Sequence, residues 1–198
     1  MRGLFVLALV VVTVYAQEPQ RCATPTIWEA RLFEQDRSKN FQRRAKLSYD
    51  EVNQRVRRIE EVDFSESRDF YDELFLHNVG IAYRLNLRTR VCNVTALSSP
   101  FRRVGIPTFA KFRGEGYIGA SVPNAGVLVS LWDGATPDGG FYFGAWTVLD
   151  CVPVNDGYFS NQTGFISWNF FDVTLGISDP NVFVPPSECA SQEFKVVV

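Results

Sequence analysis

Three stretches of the second half constrain the fold more than any other feature: GVLVSLW (126–132), FYFGAWTVL (141–149) and FISWNFFDVTLGI (165–177). All are rich in β-branched and aromatic residues, and all are apolar at odd and even positions alike. In the second, Phe141, Phe143, Ala145 and Leu149 oppose Tyr142, Trp146 and Val148. In the third, Phe165, Phe171, Val173 and Leu175 oppose Ile166, Trp168 and Phe170. Successive side chains of a strand point to opposite faces, so such strands need cover on both sides. A second sheet, helices or a bound apolar ligand could supply it. An ordinary sandwich core accounts for the aromatic crowding without a ligand.

The first half reads differently. In GIAYRLNLRTRVC, Ile81, Tyr83, Leu85 and Leu87 share one face while Arg84, Asn86 and Arg88 share the other, which predicts a half-buried strand. HNVG before it predicts a hairpin turn whose first strand is DELFLH. FQRRAKLSY alternates in the same way, with Phe41, Ala45, Leu47 and Tyr49 opposite Gln42, Arg44, Lys46 and Ser48. WEARL does so through Trp28, Ala30 and Leu32. The stretch YDEVNQRVRRIEE suits helix and strand equally. Near the C-terminus, Asp179 is placed as a helix N-cap with Pro180 at the first helical position, and Pro185-Pro186 ends what begins there. One short helical turn is expected.

The N-terminus indicates a secretory address. MRGLFVLALVVVTVYA has one early charge, Arg2, an apolar run, and small residues at Val14 and Ala16, followed by polar QEPQR. This is the pattern of a cleaved signal peptide over residues 1–16, too short to span a bilayer. Residues 17–198 then form one domain, with no later run long enough to cross a membrane. Cys22, Cys92, Cys151 and Cys189 are even in number and lack C-x-x-C spacing, so two disulfides are expected, and spacing leaves three connectivities open. Sequons at Asn93-Val94-Thr95 and Asn161-Gln162-Thr163 mark N-glycosylation sites, the second just past the turn signal Asn155-Asp156-Gly157.

Little points to catalysis or nucleic acid. Lys and Arg total 20 against 22 acids, so the chain lacks a polyanion-binding charge. Arg43-Arg44, Arg55 to Arg58 and Arg102-Arg103 read as solvated strand faces, with contact to anionic lipid or another polyanion as the alternative. The single histidine, His77, stands at the end of a predicted strand, and no nucleophile elbow, zinc helix or phosphate loop occurs. The acids of EEVDFSESRDFYDE (Glu60, Glu61, Asp63, Glu66, Asp69, Asp72, Glu73) read as a solvated connection. Weak calcium binding is the alternative there. No cofactor is required and no metal ligands are assigned.

The chain resembles the ependymin-related proteins. The resemblance rests on Cys22, Pro25, Trp28 and Glu29 in C-x-x-P-x-x-W-E; on AKLSYDEVNQRVR (45–57); on LDCVPV around Cys151; and on FFDVTLGISDPNVFVPPSEC (170–189). It implies a fold similar to bacterial lipoprotein carriers: two stacked, curved antiparallel sheets around a deep apolar pocket, with short helices. It therefore implies strand for YDEVNQRVRRIEE and a pocket rather than a filled core. It also implies a secreted or lysosomal glycoprotein, a homodimer, that binds lipids or other hydrophobic molecules without catalysis. The alternative is a calcium-dependent glycoprotein of cell–matrix adhesion. The family's pattern pairs Cys22 with Cys151 and Cys92 with Cys189. A third bridge common in vertebrate relatives has neither of its cysteines here, which implies a looser C-terminal tail. Trp146, Trp168 and Phe170 are expected to face the pocket or the layer closing it, with Phe141 and Phe143 opposite. Both faces are apolar, so all five stand as candidate pocket-lining residues.

Overall fold

The computed structural model describes residues 19–64 and 67–190. The signal-peptide expectation, Glu66 and the tail from residue 191 lie outside the described residues. Eleven strands follow one another: β1 Ile27–Asp36, β2 Phe41–Asp50, β3 Arg55–Phe64, β4 Ser67–Leu76, β5 Ile81–Asn86 and β6 Cys92–Ala96 form the first half. β7 Lys111–Gly119, β8 Gly126–Ala135, β9 Phe141–Thr147, β10 Pro153–Ser160 and β11 Gly164–Leu175 form the second. Each half is a meander of antiparallel neighbours. The hairpins close on turn chemistry suited to them. Asp36 accepts the backbone N–H of Ser38 at 3.0 Å, Asp50 accepts that of Asn53 at 2.9 Å, and Gly80 takes φ 72° in the β4–β5 turn.

The two stacked sheets expected from the resemblance are not found. All eleven strands belong to one sheet, ordered β6-β5-β4-β3-β2-β1-β11-β10-β9-β8-β7. The physical reason is that β1 has partners on both sides: Leu32 sits opposite Ala45 of β2 and opposite Phe170 of β11, which welds the two meanders edge to edge. The stretch YDEVNQRVRRIEE becomes the end of β2, a turn at 51–54, and β3. The short helices are two 3-10 turns, Pro180–Phe183, capped by the Asp179 carboxylate accepting Asn181 N–H at 2.9 Å, and Ser187–Cys189. Among the described residues, no helix is long and apolar enough to cross a membrane.

Cover for the two-sided strands comes from straps instead of a second sheet. On one face, Trp28, Ala30, Leu32, Ala45, Leu47 and Tyr49 form a buried cluster, and Ala110, Trp132, Tyr142 and Trp146 form another. The irregular segment 97–110 crosses both. Val104 packs against each cluster and donates its N–H to the Tyr49 hydroxyl at 3.1 Å, while Phe101 stacks on the Tyr49 ring at 5.5 Å. We call this side the core face. On the outer face, the C-terminal segment runs back over the first half: Arg57 donates to Val182 O at 2.7 Å, and Leu85, Cys92, Val94 and Cys189 form a buried cluster. A bulge at Asp172 (φ 51°) adds a residue to β11, so that Phe170 and Val173 both reach the core face while Phe171 points out.

Two disulfides fasten the N-terminal and C-terminal segments to the sheet. Cys22 bonds Cys151 across 129 residues, tying the N-terminal segment to the β9–β10 turn, and Cys92 bonds Cys189 across 97. Cross-links closing loops of that length remove much of the unfolded chain's freedom. Replacing Cys22 and Cys151 together by serine is expected to cost about 2–5 kcal/mol, read as a lower urea midpoint with a steeper slope, because the unlinked denatured chain exposes more surface.

Candidate binding cleft

A cleft of about 290 Å³ opens on the core face where the two clusters meet under the strap. Its apolar wall is Leu32, Leu47, Tyr49, Val56, Trp168 and Phe170, with Val104 of the strap above. These residues converge because register fixes them. Leu32 lies opposite Phe170 and Glu34 opposite Trp168, and period two brings every second residue of β1, β2 and β3 to the same side. Trp28, beside this wall, is buried against Tyr49 at 5.1 Å and Phe170 at 5.7 Å between ring centres.

The remaining wall is charged. Glu34, Arg43 and Arg58 line one side, and Arg102 and Asp156 the other. Arg43 donates to Glu34 at 2.7 Å, Arg58 donates to Glu73 at 2.6 Å, and Arg84 reaches Glu73 at 3.2 Å. Glu60 sits in the middle of this chain with its side chain fully buried. Its carboxylate lies 2.9 Å from Arg43 Nε and 3.6 Å from Arg58 Nε, yet aligns with neither N–H and receives no hydrogen bond. Burial, then the neighbouring Glu73 carboxylate, push Glu60 up to about 7 against the opposing pull of Arg58 and Arg43. Across the cleft, burial pushes Asp156 up to about 6, opposed by Arg102, whose Nη2 lies 3.3 Å away. The Arg102 guanidinium also lies over the Trp168 ring at 4.7 Å.

The acidic stretch is therefore not a solvated connection throughout: Glu61, Asp63 and Asp69 stay partly exposed, but three of its acids do not. Its described residues belong to β3 and β4, where Glu60, Asp72 and Glu73 are buried against arginines. Arg43, Arg57 and Arg58 are likewise mostly buried and paired. The pattern contained the signal for two of them: Arg43 shares parity with Phe41, Ala45 and Leu47, and Arg58 with Val56. Among the described residues, no group of three or more His, Cys, Asp or Glu side chains is placed to hold a metal ion. Asn155-Asp156-Gly157 is mid-strand in β10 rather than a turn. Gly157 is needed because a Cβ there would stand 2.0 Å from the Phe143 ring, which stacks on Phe165 at 5.4 Å.

The five candidate pocket residues separate. Trp168 and Phe170 line the cleft. Trp146 shares the core face but lies wholly buried beside Tyr142, toward whose hydroxyl it donates at 3.3 Å. Phe141 and Phe143 are on the outer face, Phe141 exposed. Asn93 is exposed on β6, opposite Arg84, and Asn161 is exposed in the β10–β11 turn. His77 contacts the strap, its Nδ1 3.2 Å from Ser99 O and its ring edge-on to Phe101.

Known proteins resemble this chain in both sequence and fold. The ependymin family model matches residues 65–189. Mammalian ependymin-related protein 1 of Rattus norvegicus is 32% identical, over 88% of this chain and 79% of its own. Ependymin-2 of Carassius auratus is 26% identical, over 75% of this chain and 70% of its own. Among solved structures, an uncharacterized conserved protein from Thermus thermophilus superposes with a TM-score of 0.54 at 10% identity, covering 87% of this chain and 91% of that one. That likeness concerns the fold alone, and it replaces the lipoprotein-carrier comparison. The family match and the extent of the rat relative's identity place this chain in the ependymin family, as a secreted, non-catalytic β protein.

Proposed function

We propose that the protein carries a hydrophobic or amphiphilic small molecule in the core-face cleft, with the apolar wall taking the chain and the arginine–carboxylate wall meeting a polar end. The observation that supports this most is the pairing of Trp168 and Phe170 with a strap that covers the cleft without filling it. Burying a hydrocarbon chain yields about 0.8 kcal/mol per methylene, so useful affinity needs no specialised residue. A cleft of about 290 Å³ is at the small end of ligand sites, which favours one chain over two. A homodimer belongs to the same reading: Leu131, Phe141, Phe159 and Phe171 leave the outer face of the second half apolar and exposed.

Native mass spectrometry of the secreted protein, before and after organic extraction, is expected to show a co-purifying lipid. The emptied protein is expected to take up an apolar fluorophore. Trp168→Ala should weaken that uptake about tenfold while secretion continues, because Trp168 is only partly buried. No lipid and no uptake would remove the carrier reading and leave calcium-dependent adhesion in its place.

A further inference from the structure

The two ends of the sheet differ in chemistry. At one end the chain turns through 37–40, 87–91, 136–140 and 161–163, and those turns carry Arg37, Lys39, Arg88, Arg90, Asp138 and the Asn161 sequon. At the other it turns through 51–54, 77–80, 120–125 and 148–152, where Val52, Val79, Val122, Val148 and Leu149 are exposed.

The contrast is strongest at the β7–β8 hairpin. No charged residue occurs from Gly116 to Trp132. Register sets Tyr117 opposite Leu128 and Ile118 opposite Val127, and Val148 donates its N–H to Leu128 O at 3.0 Å, so three chain segments lie side by side. Their exposure is high: Leu149 78%, Val122 57%, Tyr117 53%, Val127 52% and Ile118 47%. The β9–β10 turn is held firmly, because Cys151 is bonded to Cys22 and Val152 donates to Thr147 Oγ1 at 2.9 Å. Asp150 is the one charge there.

Tyr117 and Ile118 are adjacent strand residues and point to opposite faces, so the hairpin tip is apolar and wet on both. A protein partner or a second copy would cover one face. A medium that surrounds the tip covers both, and a bilayer interface is such a medium. We propose that the β7–β8 tip and the β9–β10 turn form a wedge that inserts into the interfacial layer of a lipid bilayer. Tyr117 suits the headgroup level, with an apolar ring and a polar hydroxyl. The wedge has no cation, so attraction to anionic lipid contributes nothing and binding depends on buried apolar area. The Asn161 glycan site lies at the far end of the sheet, clear of the membrane. The inference goes beyond the carrier reading and does not depend on the cleft.

Flotation of the purified secreted protein with phosphatidylcholine vesicles, at low and at high salt, tests it. The protein is expected to float at both. Val122→Asp/Leu149→Asp should lower the partition coefficient about tenfold or more, with fluorophore uptake by the cleft unchanged. Both side chains are exposed, so folding should survive. If secretion of the double variant fails, Val122→Asp alone makes the comparison. The proposal is overturned if wild type stays with the aqueous phase, if salt abolishes flotation, or if the variant floats undiminished. It is equally overturned if wild type fails to float and the variant instead loses self-association, which would assign the tip to a second copy. Flotation without fluorophore uptake would sink the carrier reading and leave the wedge standing.

Discussion

Trp146→Ala is expected to stop secretion, unlike Trp168→Ala, although both residues point from the core face and lie two strands apart. The difference is packing. Trp146 is fully buried in the cluster with Ala110, Trp132 and Tyr142, under Val104, Ile106 and Phe109 of the strap. Truncation there leaves a cavity lined by residues that the Cys22–Cys151 bridge and the ladder hold in place, so relaxation is limited. The cost is about 3–5 kcal/mol, a large part of the stability of a domain this size. Urea unfolding of protein recovered from refolding, alongside the secreted yield, measures it. A midpoint within experimental error of wild type would show that the second cluster is not the core it looks like.

The second large effect is electrostatic. Arg58→Met is expected to destabilise the fold by about 3–5 kcal/mol, because it leaves Glu60 and Glu73 buried with less compensating charge. The deficit should be greater at pH 7.5 than at pH 5. Glu60 takes up its proton near pH 7 in the folded protein and near 4.5 in the unfolded chain, so the folded state binds more protons between those values. Stability therefore rises as pH falls through that interval. Asp156, raised to about 6 by burial, adds in the same direction. Below about pH 4.5 the sign reverses. Glu29, Asp36 and Asp50 are partly desolvated, but hydrogen bonds from Ser178, Ser38 and Asn53 outweigh burial and hold all three below the usual carboxylate range, so their protonation destabilises. Thermal melts from pH 4 to 8 should peak on the acid side of neutrality. Glu60→Gln should raise stability at pH 7.5 and flatten the slope from 5 to 7. A slope unchanged in that variant would place the titrating group elsewhere.

What was legible in the sequence was periodicity, and what was not was the arrangement in space. Alternation gave the strands of 41–49 and 81–86 with their faces, because a strand with one wet side writes its orientation into residue type. Asp179-Pro180 marked the 3-10 turn for a similarly local reason. Strands apolar on both sides carry no such instruction. Nothing in FYFGAWTVL says that Trp146 lies under an irregular strap while Phe141 stays exposed, since cover comes from residues 97–110, distant in sequence and without regular structure. The arginine–glutamate wall of the cleft is hidden for the opposite reason. Residue type alone points charged side chains to solvent, although parity places Arg43 and Arg58 with the core. The stacked pair of sheets is implied by the resemblance alone, and the β1–β11 ladder overturns it.

That ladder also imposes an order on biosynthesis. β1 pairs with the last strand, Trp28 facing Leu175, so the first strand to leave the ribosome waits for almost the whole chain before its second edge is covered. The β1–β6 meander has only local pairings and can form early, with β1 presenting open backbone donors and acceptors to any other extended chain in the lumen. Both disulfides cross between early and late segments, so neither can record correct pairing until the C-terminal half has arrived. Nascent chains arrested before residue 164 should therefore need a chaperone holding the β1 edge, and release from it should coincide with synthesis of β11.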